Sequence, residues 1–351
     1  MSSALLSPES LGQDLDRFDC IIDARSPAEY ALDHVPGAIN CPVLNNEERA
    51  TVGTLYKQES PFAAKKLGAA LVAKNIASHL QEHFINQPRD WRPLVYCWRG
   101  GERSGAFAHI LQRIGWKAQQ LQGGYQGYRR QVIADLEQWA PLAQFTVICG
   151  MTGSGKTRLL QALSGDAQVL DLEGLAAHRG SVLGGLPDQE QPSQKMFESR
   201  LWNALRQLKF DQTIYVESES KKVGCLHIPD ALMDQIRQGV CIEIKADPSV
   251  RVDVLMEEYA HLLSDHERLR HLLSILTQRY GKEQIAKWQQ LAAEGQHPVL
   301  VEELLITHYD PAYQDSIARN FSQYQKARSL VVKSAEQTSY LALAQQLLKP
   351  S

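Results

Sequence analysis

The stretch that most limits the possible folds is an apolar strand, a glycine-rich loop and a helix between residues 145 and 163. Apolar residues over 145–149 predict a buried strand, and helical spacing predicts a helix over 156–163. Between them, Gly150-Met151-Thr152-Gly153-Ser154-Gly155-Lys156-Thr157 matches the phosphate-binding pattern G-x-x-x-x-G-K-[ST]. In that pattern backbone N–H groups surround a phosphate, the lysine adds positive charge and the threonine can hold Mg²⁺. We therefore expect an α/β domain that binds a phosphate compound, with Mg²⁺ as a candidate companion.

Two acidic segments after this loop supply candidates for positioning a metal ion. Residues 169–174 and 214–220 are predicted as strands that end in acids, with Asp171 in the first and Glu217 and Glu219 in the second. Phosphate-binding loops of this kind have an acid near a neighbouring strand end, where it helps to hold Mg²⁺. A solvated strand end explains the same residues equally well. The sequence predicts no complete ligand set for a resident metal.

A second glycine-rich loop, nearer the N-terminus, begins with a cysteine. Apolar residues over 93–96 predict a buried strand, the segment Cys97-Trp98-Arg99-Gly100-Gly101-Glu102-Arg103 follows, and helical spacing resumes at Ser104. Loop N–H groups, a helix start and the charges of Arg99 and Arg103 would favour a thiolate at Cys97. We therefore predict a reactive cysteine with these arginines as its partners. A buried structural cysteine is the ordinary alternative.

Short apolar strands alternate with helical stretches through residues 11–135, which predicts an α/β domain with a mainly parallel sheet. The predicted strands are 20–23, 94–97 and 119–121, and the predicted helices are 67–84, 104–114 and 125–136. Residues 137–142 have the composition of a linker. Helices over 194–208 and 229–238 and a last strand over 240–245 complete the phosphate-binding domain. The predicted domains are therefore 1–138, 139–250 and a mainly helical region over 251–351.

The helical C-terminal region carries scattered basic residues. They are Arg251, His261, His266, Arg268, Arg270, His271, Arg279, Lys282 and Lys287. A solvated helix surface explains them, and a basic face for a polyanion is the more specific alternative. The net charge of −3 gives no global basic bias in support of the second reading.

Cysteine usage and hydropathy bear on the compartment. The six cysteines form no C-x-x-C pair, which fits free thiols in a reducing environment. No apolar run approaches the roughly 20 residues that cross a membrane, and the N-terminus lacks the features of a signal peptide. We therefore expect a cytoplasmic protein with no membrane partner. His79 and His83 are predicted to lie on a polar helix face rather than in a metal site, because no third ligand is near in sequence.

The cysteine loop and two flanking stretches resemble the rhodanese-type sulfurtransferase family. Residues 21–30 and 34–40 resemble its N-terminal signature, and Leu121-Gln122-Gly123-Gly124-Tyr125 resembles its closing motif. The spacing departs from single-domain rhodaneses, because Arg103 follows Cys97 by six positions and not by five. That is the C-x5-R spacing of cysteine phosphatases of related fold, whose longer loop surrounds a tetrahedral phosphate. A phosphate-bearing chalcogen donor therefore fits the loop.

The whole chain resembles the tRNA 2-selenouridine synthase family, in which a rhodanese-like domain is fused to a P-loop domain. The resemblance rests on the two loops together with residues 171–181, 217–224 and 309–313 in this order. It implies an N-terminal rhodanese-like parallel-sheet domain, a P-loop NTPase-like α/β domain and a helical C-terminal region. It also implies that Cys97 is the essential cysteine and that residues 150–157 bind phosphate.

The activity implied by this resemblance is a transfer reaction on tRNA. The sulfur of 2-thiouridine at the wobble position is replaced by selenium from selenophosphate, through an S-geranyl-2-thiouridine intermediate made from geranyl diphosphate. The implied partners are that tRNA and the selenophosphate donor, with selenophosphate synthase as its candidate supplier. No motif identifies the tRNA contacts. The candidates for tRNA or substrate contact are His178, Arg179, Lys221 and Lys222.

Two questions stay open at the level of sequence. Cys97 would either carry selenium as a Cys–Se–H species or only guide selenophosphate to the base. The activity itself has two alternatives. One is a cysteine-dependent phosphatase or sulfurtransferase fused to a nucleotide-binding P-loop domain, and the other is a non-catalytic module that binds tRNA or a nucleotide.

Overall fold

The computed structural model describes residues 5–180, 185 and 189–349. Its strands are β1 Leu5–Leu6, β2 Cys20–Asp23, β3 Ala38–Asn40, β4 Pro93–Tyr96, β5 Gln119–Leu121, β6 Gln144–Cys149, β7 Gln168–Leu170, β8 Thr213–Glu217, β9 Lys222–Val223, β10 Leu226–His227, β11 Val240–Ala246 and β12 Arg328–Val332. Its α-helices are α1 Leu11–Asp14, α2 Pro27–Leu32, α3 Asn46–Gln58, α4 Pro61–His79, α5 Glu102–Ile114, α6 Gly124–Trp139, α7 Lys156–Leu163, α8 Leu172–Ala176, α9 Gln194–Leu205, α10 Asp230–Arg237, α11 Pro248–Glu258, α12 Ala260–Leu263, α13 His266–Ile275, α14 Thr277–Ala293, α15 His297–Leu304, α16 Asp310–Asn320 and α17 Gln337–Leu348. Within the described ranges, no helix is both long and apolar enough to cross a membrane.

The chain separates into two compact units, each made of two segments. Unit 1 consists of residues 1–136 and 192–207, and unit 2 consists of residues 137–191 and 208–351. The first break lies close to the predicted boundary at 138. The sequence-based division differs in two respects, because it assigns α9 to the phosphate-binding domain and separates residues 251–351 from it.

Unit 1 contains a five-stranded parallel sheet in the order β1-β5-β4-β2-β3. The predicted strands 20–23 and 119–121 are confirmed, and β4 covers the predicted apolar run 93–96, one residue short of the alternative end at Cys97. Helix α4 begins six residues before the predicted start at 67, because the Ser60 hydroxyl accepts the N–H groups of Phe62 and Ala63 and Pro61 occupies the first helical position. Since all strands are parallel, the residues after β2 and β4 share one edge of the sheet.

Helix α9 completes the core of unit 1 from a distant part of the sequence. The Trp202 indole donates to the Asp135 carboxylate at 2.7 Å, and the Ser199 hydroxyl donates to the Asp33 carboxylate at 2.8 Å. Trp202 is fully buried, and its ring packs edge-on against Tyr128. Buried polar groups are costly without partners, so these contacts make α9 an integral part of unit 1.

The predicted linker over 137–142 is helical. Helix α6 runs on to Trp139, and a 3₁₀ turn covers Ala140–Leu142 with Ala140 fully buried. Glu137 and Gln138 are exposed on the last turn of that helix. The segment does lie at the break between the two units, which follows residue 136, but the connection there is helical.

Unit 2 contains a second five-stranded parallel sheet, in the order β12-β11-β6-β8-β7. The predicted strand 169–174 is wrong after residue 170, because the Asp171 carboxylate accepts the Gly174 N–H and so starts helix α8. The segment 240–245 is not the last strand, since β12 pairs with β11 at the edge of the sheet. With only Leu330 and Val332 buried, β12 carries a weak apolar pattern. The remaining C-terminal elements are helices, as predicted.

Candidate functional site

Cys97 lies directly after β4 at the carboxyl edge of the unit 1 sheet. Its side chain is only 3% exposed, and the Ser104 hydroxyl donates a hydrogen bond to its sulfur over 3.1 Å. Ser104 belongs to the first turn of α5, so the cysteine sits at the beginning of that helix. The predicted placement of the cysteine is confirmed. Ser104 as the donor to the sulfur was missed, because its place in the helix after the loop does not reveal where its hydroxyl points.

The closing motif around Gly124, together with Gln120, is hydrogen-bonded to the backbone carbonyls of the cysteine loop. The Tyr125 N–H donates to the Cys97 carbonyl at 2.8 Å, and the Gln120 side-chain amide donates to the carbonyls of Gly100 and Gly101. Gly124 has a φ of +54°, and a Cβ atom there would lie 2.3 Å from the Cys97 carbonyl oxygen. Only glycine therefore allows this approach. The loop is held in one conformation before any ligand arrives.

The two loop arginines differ in exposure and in partners. Arg99 is exposed, and the Arg103 guanidinium lies 3.5 Å from the Glu29 carboxylate. Glu29 also pairs with Arg49 at 3.1 Å. Arg103 therefore shares its charge with a neighbouring acid. Within the part of the chain that the structure describes, the hydrogen bond to the Cys97 sulfur comes from Ser104 and not from an arginine.

The phosphate-binding loop joins β6 to α7 as the sequence predicts. Lys156 Nζ donates to the Gly150 carbonyl at 2.9 Å, and the Gly150 N–H donates to the Tyr313 hydroxyl oxygen at 2.6 Å. Gly155 has a φ of +79°, and a Cβ atom there would lie 2.2 Å from the Tyr340 hydroxyl of α17. The Ser154 hydroxyl is buried without a partner among the described residues. The loop thus packs against α16 and α17 of the same unit, while the Ser154 hydroxyl inside it has no partner among the described residues.

Carboxylates gather beside this loop. The Thr157 hydroxyl donates to the Glu173 carboxylate at 2.9 Å, and Glu217 accepts the Glu173 N–H at 2.9 Å. Burial, followed by repulsion from the neighbouring carboxylates, raises the pKa of Glu217 well above its usual value. Burial and the nearby Glu173 raise the pKa of Glu219 to about 8. These raised pKa values indicate that the negative charges of the two carboxylates are not balanced by nearby positive charge in the ligand-free protein.

The predicted acids thus have different places. Asp171 and Glu219 line the phosphate pocket, and Asp171 also caps α8, whereas Glu217 is buried and accepts the Glu173 N–H. Glu173, which the sequence placed inside a strand, is the acid that contacts Thr157. One oxygen of Glu217 is buried and has no partner within the described ranges. Carboxylate and hydroxyl oxygens are the ligands that Mg²⁺ prefers, so Thr157, Glu173 and Glu217 fit this ion.

The other walls of the phosphate pocket come from α11 and α16 and from the segment after α8. The pocket measures about 690 Å³. His178 and Arg179 line it, and Arg179 donates to the Glu258 carbonyl and lies over the Tyr259 ring. Burial lowers the pKa of His178, and its Nδ1 is buried without a partner in the described structure. These two candidates for substrate contact therefore lie at the pocket.

Lys221 and Lys222 lie elsewhere. Lys221 pairs with Asp230 at 2.6 Å, and Lys222 is exposed in the β9–β10 hairpin. Neither is among the residues that form the pocket wall. The segment that follows His178 and Arg179 is described only in part, because residues 181–184 and 186–188 lie outside the described residues.

Arg251 holds the phosphate-binding loop from α11. Its side chain is 4% exposed, its Nε donates to the Thr152 carbonyl at 2.9 Å, and its Nη1 donates to the Asp310 carboxylate at 3.0 Å. From sequence alone, Arg251 is only one of the scattered basic residues, and no pattern links it to the loop. Asp310, which accepts from Arg251, and Tyr313, which accepts the Gly150 N–H, both lie within 309–313. That segment therefore also helps to hold the phosphate-binding loop.

A narrow apolar cavity adjoins the phosphate pocket. The two spaces share Thr152, Leu255, Tyr259 and Tyr309. The rest of the cavity wall is aliphatic: Leu262, Leu263, Leu269, Leu300, Val301 and Leu304. The pocket therefore offers a polar end suited to phosphate and an apolar end suited to a hydrocarbon chain. Sequence reasoning gave no sign of it, since its walls come from five helical segments.

Both the N-terminal and the C-terminal part of the chain match models of known protein families. Residues 143–346 match the model of the tRNA 2-selenouridine synthase AAA domain, and residues 7–131 match the model of the rhodanese-like domain. A tRNA 2-selenouridine synthase from Alcanivorax borkumensis is 33% identical over 332 residues, covering 85% of this chain and 90% of that protein. One from Bdellovibrio bacteriovorus is 30% identical over 364 residues, covering 91% and 94%.

The match to Nitrosomonas europaea is higher in identity and shorter in extent. That tRNA 2-selenouridine synthase is 39% identical over 247 residues, covering 68% of this chain and 63% of the relative. The match to its Nitrosomonas eutropha counterpart likewise covers 62% of the relative, less than two thirds of its length. The domain-model matches and the longer relatives together show that the chain belongs to the tRNA 2-selenouridine synthase family.

Proposed function

We propose that this protein is a tRNA-modifying transferase of the cytoplasm that replaces the sulfur of 2-thiouridine at the wobble position by selenium. Selenophosphate is the proposed donor, with its synthase as the candidate supplier, and S-geranyl-2-thiouridine is the proposed intermediate. Membership of the family supports the tRNA substrate. The proposal on the donors rests on the two sites described above.

The observation that carries the proposal is that the apolar cavity adjoins the phosphate pocket. Four residues line both spaces, so a charged space and an aliphatic one lie side by side. A molecule with a diphosphate head and a hydrocarbon tail fits both, and geranyl diphosphate is such a molecule. The cavity measures only about 40 Å³, so the leucines must move apart to admit the chain. A simple nucleotide would leave the apolar part unused.

The first proposed step is alkylation of the base. The thiocarbonyl sulfur attacks C1 of the geranyl group, a C–S bond forms, the C1–O bond breaks and pyrophosphate leaves, while the base loses its N3 proton to solvent. The loop N–H groups and Lys156 stabilise the charge that develops on pyrophosphate. Mg²⁺, held by Thr157, Glu173 and Glu217, would add positive charge there when bound. Arg251 keeps the loop in position through Thr152.

The second proposed step exchanges sulfur for selenium. The selenium of selenophosphate attacks C2 of the alkylated base and geranylthiol leaves, after which water cleaves the P–Se bond and releases phosphate. We assign Cys97 the role of orienting selenophosphate in its loop. Transfer of a neutral selenium atom to the Cys97 thiolate would give Cys–Se⁻ and phosphite, so release of phosphite in place of phosphate would identify the Cys–Se–H alternative.

Nucleoside analysis of two variants tests the division between the steps. Lys156→Ala removes the charge that faces pyrophosphate, so geranylation should slow about a hundredfold or more. Cys97→Ala leaves that loop unchanged, so geranylthiouridine should accumulate while selenouridine is absent. Lys209→Ala and Cys225→Ala are matched controls, because both side chains are exposed and lie outside the two loops. If Cys97→Ala stays folded and bound to tRNA yet loses geranylation, the assignment of separate steps is wrong.

A binding comparison tests the two-part pocket directly. Burying about five carbons of the geranyl chain at about 0.8 kcal/mol each yields about 4 kcal/mol, or roughly a thousandfold in affinity. Calorimetric titration with Mg²⁺ should therefore show geranyl diphosphate binding far more tightly than pyrophosphate. Equal affinities would contradict the proposed role of the apolar cavity.

A further inference from the structure

A group of metal-ligating side chains lies in unit 1, away from the cysteine loop. One nitrogen each of His79 and His83 and one carboxylate oxygen of Glu82 lie within 4.8 Å of one another. The sequence analysis discounted the two histidines for lack of a third ligand, but Glu82 directly precedes His83. We propose that His79, Glu82 and His83 form a zinc-binding site.

The backbone brings the three side chains together at a change of helix type. Helix α4 ends at His79 and continues as a π-helical turn over Leu80–Phe84. The wider turn changes the direction in which Glu82 and His83 project relative to His79. Such turns are rare and are frequent at functional sites. The local backbone is therefore adapted to this arrangement and departs from an ordinary helix end.

His79 is oriented as metal-binding histidines usually are. Its Nε2 lies 3.0 Å from the Pro42 carbonyl, so Nε2 carries the proton and Nδ1 keeps its lone pair. Nδ1 is buried and has no hydrogen-bond partner in the described part of the chain. The ring also stacks on Phe107 and on His83. An oriented imidazole with one unused nitrogen is available to a metal ion.

The other two ligands are accessible and near enough to close around an ion. His83 Nε2 lies 3.8 Å from the Glu82 carboxylate, and the side chains are 48% and 64% exposed. Donors around a tetrahedral zinc ion lie about 3.4 Å apart, given Zn–N bonds of about 2.0–2.1 Å. Rotation of two exposed side chains covers the remaining distance. Two imidazoles and one carboxylate are a donor set that zinc accepts.

The site would retain an open coordination position. Glu82 and His83 both line a groove of about 830 Å³, which Lys117 and Trp91 also border. Three protein ligands with water in the fourth position is the arrangement of exchangeable or catalytic zinc. We therefore expect the bound ion to accept a small anion from the groove.

The test is zinc titration of the full-length protein against a chromophoric chelator, with excess Mg²⁺ to occupy the acidic site of unit 2. Wild-type protein should bind one zinc ion at this site, and His83→Ala and Glu82→Gln should each weaken that binding at least tenfold. His109→Ala is the matched control, since His109 is an exposed histidine on α5 of the same unit. Both ligand variants should keep the wild-type melting temperature without zinc.

Cobalt substitution separates this site from the free thiols. Cobalt bound by nitrogen and oxygen should show visible bands without the strong near-ultraviolet absorption of cobalt–thiolate bonds. A thiolate band, or zinc affinity that is unchanged in His83→Ala and Glu82→Gln, would overturn the proposal. So would a failure of the wild-type protein to bind zinc more tightly than His83→Ala.

Discussion

Replacing Arg251 with methionine is expected to destabilise unit 2 and to loosen its phosphate-binding loop. The guanidinium is almost completely buried and bonds both to the Thr152 carbonyl and to the Asp310 carboxylate. Methionine keeps much of the length and apolar volume of the side chain but supplies no donor. The variant therefore leaves a carbonyl and a carboxylate without their partner.

The size of the effect follows from the burial of the pair. Removing one member of a buried ion pair costs about 3–5 kcal/mol, because the other charge stays unpaired. The Asp310 side chain is 21% exposed, so we expect the lower end, about 3 kcal/mol. For a unit of this size such a loss lowers the melting temperature by roughly 6–12 °C.

A double variant separates stability from binding. Arg251→Met with Asp310→Asn has no unpaired carboxylate, so urea unfolding should show that most of the stability returns. The Thr152 carbonyl still lacks its donor, so calorimetry should show that pyrophosphate affinity remains reduced at least tenfold. Arg270→Met is the control, since Arg270 is exposed. The reasoning is refuted if Arg251→Met costs under about 1 kcal/mol, or if the double variant binds pyrophosphate like wild type.

Three further predictions concern the acids, helix α9 and tRNA. Burial raises the pKa of Glu219 to about 8, so the folded metal-free protein loses stability as the pH rises from about 5 to 8. In EDTA, the melting temperature of Glu219→Gln relative to that of wild type should therefore increase over this pH range. A constant difference between the two melting temperatures would contradict this prediction. Trp202→Ala should destabilise unit 1 by about 3–5 kcal/mol in urea unfolding, although residue 202 lies outside the rhodanese-like match; a loss below about 1 kcal/mol would contradict the packing role of α9. If basic residues of unit 2 hold tRNA phosphates, log affinity should fall with log salt with a slope of several units, and a slope near zero would exclude this.

The sequence was sufficient for features that short patterns encode. The strand–loop–helix around Lys156 and the cysteine loop after β4 both lie where periodicity and glycine content predicted them. Both parallel sheets follow from alternating strands and helices. These features depend on residues within about one helical turn or strand of each other, which is the range that a local pattern describes.

What the sequence did not reveal depends on contacts between distant segments. Arg251 meets Thr152 across 99 positions, and Trp202 meets Asp135 across 67. Nothing in the local sequence of either residue specifies its partner. The strand predicted over 169–174 was wrong at Glu173 for a different reason. The Asp171 side chain caps helix α8 and so ends the strand that the apolar pattern would have extended. Side-chain competition for backbone groups outweighed strand propensity there.

Helix α9 has a consequence for the order in which the chain can fold during synthesis. The polypeptide passes from unit 1 to unit 2 after residue 136, returns at 192 and leaves again at 208. Strand β6 and the glycine-rich loop after it are therefore translated before the last piece of unit 1 exists. Until residue 207 has left the ribosome, Tyr128 and Asp135 lack their contacts with Trp202. The first two-fifths of the chain therefore cannot finish folding ahead of the rest. The two units are consequently not modules that could be exchanged between proteins by a single cut.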